Sequence, residues 1–266
     1  MSVNARLSLT NHWNTATVAA TTTTANYPAS NVKDPSRPAL TWRSTVVTDS
    51  DLRANHGSAK LVELVLLLNV NFTSVRFEAN ATDAWGAPTY NSGALVVGRN
   101  KWNDRYTLAL LTSPAPTLQW NRLFIPTQAT TDGAAYFEVG GVYAGPLTAL
   151  PREWRVAFRM RTVRPVVEVE ATLGKWRNRY ITGDPFTRIS MQRVADLSVT
   201  TPFTGDQVES YLDLDRLWWA AGFGALYLNR GNTAHAWVAR MGQEPEWDVN
   251  GTIAESDMEI EEVIAG

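Results

Sequence analysis

The residues of this chain best suited to acid–base or metal chemistry are His12, His56 and His235, and no two of them are close in sequence. A helical zinc site needs two histidines four residues apart with a glutamate between them, and that spacing is absent. Isolated histidines more commonly cap or hydrogen-bond near the surface. The chain contains no Cys, which removes disulfides and thiolate metal sites. It also has no G-x-S-x-G elbow, no phosphate-binding P-loop and no dinucleotide fingerprint. Gly140-Gly141 and Gly145 fit a bulge and a turn better than a phosphate cradle. Two acid pairs, Asp49/Asp51 and Asp213/Asp215, are two residues apart, but a glycosidase pair is defined by its separation in space. Asp213 and Asp215 read as the solvated face of a helix. The expectation is a protein that is not an enzyme, with no catalytic residue, no metal and no cofactor.

Binding is a different matter. The loop Asn31 to Pro38, with Asp34, leads into Trp42 and Arg43. An aromatic ring can stack on a pyranose while Arg and Asp hydrogen-bond its hydroxyls, so Asp34, Trp42 and Arg43 are candidate ligand contacts. The competing reading makes Trp42 a core residue and Asp34 the head of an Asx turn. Trp218-Trp219 poses a similar choice. Adjacent residues cannot both face a helix's apolar stripe, so Trp219 is a candidate interface anchor.

Composition bounds the rest. The chain has 266 residues, 44% hydrophobic and 19% charged, with 11 Trp and a net charge of −2. That is a folded chain with no global field to attract nucleic acid or an acidic membrane. The first residues show no signal-peptide pattern. The apolar run Leu64–Val70 is far too short to span a bilayer. The sequons at Asn71, Asn80 and Asn250 carry no weight without a secretory signal.

From Leu7 to about Leu150 short strands alternate with turn signals. Thr41–Ser44, Leu61–Asn69, Ser74–Ala79, Leu118–Pro126 and Ala134–Tyr143 read as strands, the last broken by Gly140-Gly141. Leu61–Asn69 is nearly all apolar, which predicts burial on both faces. Such spacing suggests a sandwich or jelly roll over residues 1–150. Gly145-Pro146 and Pro151 mark a boundary, and residues 151–266 read as a second β domain.

In that second part Trp154, Val156, Phe158 and Met160 alternate with Arg155, Arg159 and Arg161. Val167, Val169, Ala171 and Leu173 alternate with Glu168 and Glu170. A hairpin about Arg164-Pro165 would set Arg161 against Glu168 and Arg159 against Glu170, although Pro165 suits no type I′ turn. Thr204-Gly-Asp-Gln207 has the form of a capping box. Val208, Tyr211, Leu214, Trp218 and Ala221 then form an apolar stripe, and Gly222 suits a left-handed cap, so a helix is predicted over 206–221. Near the end, Glu255, Asp257, Glu259 and Glu261 share one strand face, and Ser256, Met258 and Ile260 the other. The acids could meet the Arg155/Arg159/Arg161 face within or between subunits, or belong to a solvated edge strand.

Two stretches carry a resemblance. Tyr27-Pro-Ala-Ser-Asn31-Val-Lys-Asp34, followed by Thr41-Trp42-Arg43-Ser44, resembles the opening of galactose-binding-like, discoidin-type jelly rolls. Ala135-Tyr136-Phe137-Glu138-Val139-Gly140-Gly141-Val142-Tyr143-Ala144-Gly145-Pro146 looks like the segment found when such a jelly roll sits in a bacteriophage tail protein. The second half is similar in pattern to tail-tube and distal tail proteins. One departure is the lack of the Cys pair that often joins the ends of discoidin domains.

The resemblance implies a mainly β fold: an N-terminal antiparallel jelly roll, then a β-sandwich or barrel with one packed helix. It implies a structural protein of a phage tail tip, a homo-oligomeric ring touching tail tube, hub and receptor-binding parts. Such a protein is assembled in the host cytoplasm and located in the virion. The acidic strand would then line the lumen of the ring, repelling DNA. The alternatives are a carbohydrate-binding module or adhesin recognising a host glycan, and a carbohydrate-active enzyme carrying that module. No sequence-specific nucleic acid and no membrane insertion are implied.

Overall fold

A computed structural model describes residues 4–35, 37, 40–99, 106–149, 158–163, 166–171, 176–181, 186–196, 207–230, 233–242, 248–250 and 253–262. Its first strands are β1 (Asn4–Ser8), β2 (Thr17–Ala20), β3 (Trp42–Arg43), β4 (Ser50–Leu61), β5 (Leu64–Val70) and β6 (Ser74–Asn80). Then come β7 (Tyr90–Asn91), β8 (Leu95–Val96), β9 (Gly98–Arg99), β10 (Tyr106–Leu111), β11 (Thr117–Ile125) and β12 (Glu138–Gly145). They are followed by β13 (Thr148–Ala149), β14 (Phe158–Val163), β15 (Val166–Ala171), β16 (Trp176–Ile181) and β17 (Phe186–Asp196). The chain continues through α1 (Gln207–Ala221), β18 (Gly224–Arg230), β19 (Thr233–Met241), β20 (Asp248–Asn250) and β21 (Ile253–Glu262). No described helix is long and apolar enough to cross a membrane.

The jelly roll has two antiparallel sheets. One runs β3-β12-β5-β10-β9; the other runs β2-β4-β11-β6-β7, with β8 also on β6. Alternation sorts their side chains. Leu52 and Ala54 of β4, Val75 and Phe77 of β6, and Leu123 and Ile125 of β11 meet Val65 and Leu67 of β5 in one core. Trp13, Trp42, Phe72 and Phe137 close it, all buried.

β5 is buried on both faces, as its apolar run predicts. Leu64 and Leu66 point the other way, into a second cluster with Tyr143 of β12, Ala225 of β18 and Val238 of β19. The break expected at Gly140-Gly141 does not occur: β12 runs as one strand from Glu138 to Gly145. Val139 pairs with Val70 and Gly141 with Leu68, so register is kept across Gly140. Opposite it Asn69 takes φ +51°, and the core-facing parity changes from Leu67 to Val70. Gly141 has a further role: a Cβ there would lie 2.9 Å from the Cα of Pro35.

The second sheet runs β13-β1-β18-β19-β21-β17-β14. β1 and β13, which flank the jelly roll in sequence, both belong to it, through Leu7↔Leu226 and Leu7↔Thr148. Helix α1 buries Tyr211, Leu214 and Trp218, as its stripe predicts, and Trp219 is 59% exposed. Gly222 at φ +76° donates to the carbonyls of Trp218 and Trp219, which caps the helix. Thr204 lies outside the described residues.

Several expectations need correction. Ala221 of the stripe is exposed. Asp215 is buried rather than on a solvated face, because it shares the inward side of the helix with Tyr211 and Leu214. The β14–β15 hairpin does not form. β14 pairs with β17, and β15 pairs with β16, where Glu168 sits opposite Arg179 and Glu170 opposite Arg177. The glutamates of β15 lie in register with the arginines of β16 instead of those of β14. Arg155 lies outside the described residues, and Arg159 and Arg161 fall opposite Ser190 and Arg188. Nor is β21 an edge strand, since it pairs with β17 on one side and with β19 and β20 on the other. Register places Glu255, Asp257, Glu259 and Glu261 opposite Val194, Gln192, Ser190 and Arg188. Ser256, Met258 and Ile260 are buried, as the alternation predicts.

Candidate functional site

Arg43 is where the two sequence motifs meet. It sits on the short edge strand β3, directly opposite Glu138 of β12. Trp42 turns inward to the core, so by alternation Arg43 turns outward. Its Nε donates to the Glu138 carboxylate at 2.7 Å. Its guanidinium lies over two rings, 3.9 Å from the centroid of Tyr27 and 4.8 Å from that of Tyr136. The Arg43 and Glu138 side chains are 27% and 20% exposed, and both rings are half-buried.

Local chemistry holds this cluster. The Arg43 amide donates to the Tyr27 carbonyl, and the Arg43 carbonyl accepts from Thr24. The Asn71 side chain donates to the Tyr136 carbonyl at 3.0 Å and accepts from the Glu138 amide at 2.7 Å. The Ser44 hydroxyl accepts from the Phe137 amide at 2.7 Å. Neighbouring loops are pinned in the same way. Asp49 accepts from the amide and hydroxyl of Thr127, which hold its carboxyl below the usual range. Gln128 bridges Thr73 and Ser74. The loops at this end of the sandwich are therefore tied to one another.

The other candidates resolve differently. Trp42 is fully buried, and its indole N–H donates to the Thr22 carbonyl and the Thr23 hydroxyl. It cannot stack on a sugar in this position; it is a core residue. Asp34, on the surface, pairs with Arg37 at 3.6 Å. Asp49 and Asp51 are not a working pair. Asp51 belongs to the outer face of the other sheet, with Arg53, Arg122 and Thr21. Trp219 lines a cavity of about 360 Å³ with Trp218, Gly222, Arg240, Met241 and Gly242.

His12 and His56, isolated in sequence, are neighbours in space, with ring centroids 6.0 Å apart. Burial, first of all, lowers the pKa of each. Their contacts are backbone carbonyls and Asn121, and among the described residues no group of three potential metal ligands occurs.

Sequence reasoning placed Arg43 but missed Tyr27, Tyr136 and Glu138 as its partners. The signal was partial: the second motif carries Glu138 next to the aromatic pair Tyr136-Phe137.

No protein-family profile and no curated protein matches this chain. Among solved structures it is similar to chitosan-binding module 1 of a chitosanase/glucanase from Paenibacillus sp. IK-5, at 18% identity and TM-score 0.38, covering 52% of this chain and 99% of that one. It is similar also to the family 32 CBM from C. perfringens NanJ, solved with galactose, at 13% identity and TM-score 0.37, covering 53% and 98%. A third is a fucose binding module of Streptococcus pneumoniae, at 8% identity and TM-score 0.39, covering 52% and 98%.

Proposed function

We propose that the jelly roll is a glycan-binding module, without chemistry of its own, whose contact surface is the loop end around Arg43. One observation carries this reading. Tyr27, Arg43, Tyr136 and Glu138 come from three separate segments and form one half-exposed, pre-organised cluster. Aromatic rings offer flat apolar faces to a pyranose. A guanidinium whose Nε is committed to Glu138 keeps its two Nη groups as a planar donor fork for vicinal hydroxyls. The test is a glycan array probed with the purified chain and with Arg43→Ala and Tyr136→Ala. Binding to a defined glycan set, lost in both variants with unchanged circular dichroism, supports the reading. Undiminished binding in both variants, or no binding to any glycan, removes it.

A second reading gives the chain a place at the distal end of a phage tail, in the virion, in a ring touching tail-tube, hub and receptor-binding proteins. What favours it is the exposure of Leu217 (58%) and Trp219 (59%) on α1, apolar side chains of the kind that anchor interfaces. Light scattering of the purified chain tests it. A symmetric oligomer that Trp219→Ser dissociates supports assembly; a monomer at all concentrations leaves the glycan-binding reading alone.

A further inference from the structure

The two outer faces of the jelly roll differ. That of the five-stranded sheet is occupied in part by the second sheet, through Leu64, Leu66 and Tyr143 against Ala225 and Val238. That of the six-stranded sheet carries a patterned surface. On β11, Trp120, Arg122 and Phe124 alternate with the buried Asn121, Leu123 and Ile125. Register sets Arg53 of β4 and Glu78 of β6 on either side of Arg122, and Asp51 and Arg76 on either side of Phe124.

The loop after β6 lays Trp85 over this surface. Its ring covers the Arg122 guanidinium at 4.7 Å, and its indole N–H donates to Asp83 at 2.6 Å. Asp83 in turn accepts from Arg53 at 3.3 Å. Beneath, Arg122 binds the buried Glu78 carboxylate and lies 3.6 Å from Asp51. Arg76 stands over Phe124 at 4.3 Å. Asn80 fixes the loop's path by accepting from Thr89 and Ala81 and donating to the Ala84 carbonyl. The indole is therefore held rigidly from below and at its edge, yet it is only half-buried. Apolar area that a fold locks in place and leaves wet is available to a partner.

Charge decides the class of that partner. Arg53, Arg76 and Arg122 are balanced by Asp51, Glu78 and Asp83, each paired with at least one of them. A balanced patch offers no field to an anion. It does offer flat rings beside planar donors and acceptors, which suits a ring-shaped ligand rich in hydroxyls.

We propose that this sheet face is a second glycan-binding surface, for a neutral oligosaccharide laid across the strands. Trp85 is the stacking platform, with Arg53, Asp83 and Arg76 as hydrogen-bonding partners. The surface shares no residue with the loop end and stands independently of that reading.

The experiment follows the Trp85 indole N–H by NMR in the full chain, assigned by its loss in Trp85→Phe. The probes are cellohexaose, laminarihexaose, mannohexaose and chitohexaose, with tetragalacturonate as the anionic comparison. At least one neutral probe at millimolar concentration shifts the Trp85 signal. Arg53→Gln, which leaves the ring in place, weakens the same titration, and in Trp85→Ala the affinity for that probe, read by isothermal titration calorimetry against the parent chain, falls by about tenfold or more. The proposal is overturned if no neutral probe moves Trp85, or if only the galacturonate does. It is overturned too if a probe moves Tyr27 and Tyr136 signals and leaves Trp85 still. That last outcome leaves the loop-end reading standing, so the two fail separately.

Discussion

The Tyr143 hydroxyl donates to the backbone carbonyl of Ser8 at 2.7 Å, joining the last long strand of the jelly roll to the strand that enters the second sheet. Both residues are buried, and burial pushes the phenol well above its ordinary range, so it stays a donor throughout the accessible pH range. Tyr143→Phe keeps the ring and removes the phenol's bonds to Ser8 and to the Ala225 backbone. A loss of about 1–3 kcal/mol is expected, as for a buried group left unsatisfied. Urea unfolding of the two proteins measures it. A difference within error would mean that water or a local shift replaces the bond.

Next to it, Gly145 tolerates no side chain. A Cβ there would sit 1.9 Å from the Thr10 carbonyl oxygen, which is backbone and cannot swing away. Gly145→Ala must push β12 away from the segment after β1, at a cost in the overpacking range of about 1–3 kcal/mol or more. The same change at Gly86, where nothing lies within 4 Å of the added atom, is expected to be near neutral. Comparing the thermal midpoints of the two variants checks the contrast.

Helix α1 supplies a third test. Leu214 is 4% exposed between Tyr211 and Trp218. Leu214→Ala is expected to cost about 2–5 kcal/mol, the range for a buried leucine that leaves a cavity. Trp219→Ala, on the exposed side, is expected to leave the isolated chain's stability within about 0.5 kcal/mol. Equal effects of the two substitutions would show that the helix buries a different face.

What sequence could say about this molecule follows from where each pattern is decided. β5 and α1 were legible because their apolar residues alone fix the face they bury. β4 was not, because half of Ser50–Leu61 is Asp51, Arg53, Asn55 and other polar residues, whose partners arrive from β11 and from the loop after β6. The charge-matched hairpin failed for a related reason. Glu168 and Glu170 match Arg179 and Arg177 as well as they match Arg161 and Arg159, and register chose the former. At the site, Arg43 stood out by its motif, while Tyr136 became its neighbour through the pairing of β3 with β12, and Tyr27 through the hydrogen bond from the Arg43 amide to its carbonyl.

Charge on β21 gives a fourth prediction. Glu261 lies in register with Arg188 of β17 and Arg240 of β19, and Arg188 in turn with Arg161 of β14. A glutamate in register with two arginines is expected to stabilise the row, by roughly 0.2–1 kcal/mol for each cross-strand pair. Glu261→Gln is therefore expected to lower the urea midpoint, and more so at low salt. Glu255→Gln, whose cross-strand neighbours are Val194 and Asp248, removes a like-charge pair and is expected to leave the midpoint unchanged or slightly raised. If both variants match the parent, the acidic face does not work through these arginines.

The last prediction concerns acid. The two ring nitrogens of His56 face two acceptors, the His12 carbonyl at 3.2 Å and Asn121 Oδ1 at 2.7 Å. Asn121 is oriented by its own donation to the Trp120 carbonyl at 3.1 Å. A neutral imidazole carries one N–H and can satisfy only one of these acceptors. Burial opposes the second proton: it lowers the pKa of His56, and that of His12 as well, with Lys60 acting on both and the His56 ring adding to the effect on His12. With desolvation the largest influence, the folded state binds protons less readily than the unfolded chain, whose histidines titrate near 6.5. Stability from the pair is therefore complete above that pH. It falls as the unfolded chain protonates below it, and continues to fall until the folded rings protonate too. Urea midpoints measured from about pH 7.5 to 5.5, above the carboxylate range, should decline with acid. Replacing both residues by Gln should flatten that decline. A parent protein whose stability rises over the same interval would mean that the two hydrogen bonds of His56 outweigh its burial, and that the folded state holds the imidazolium.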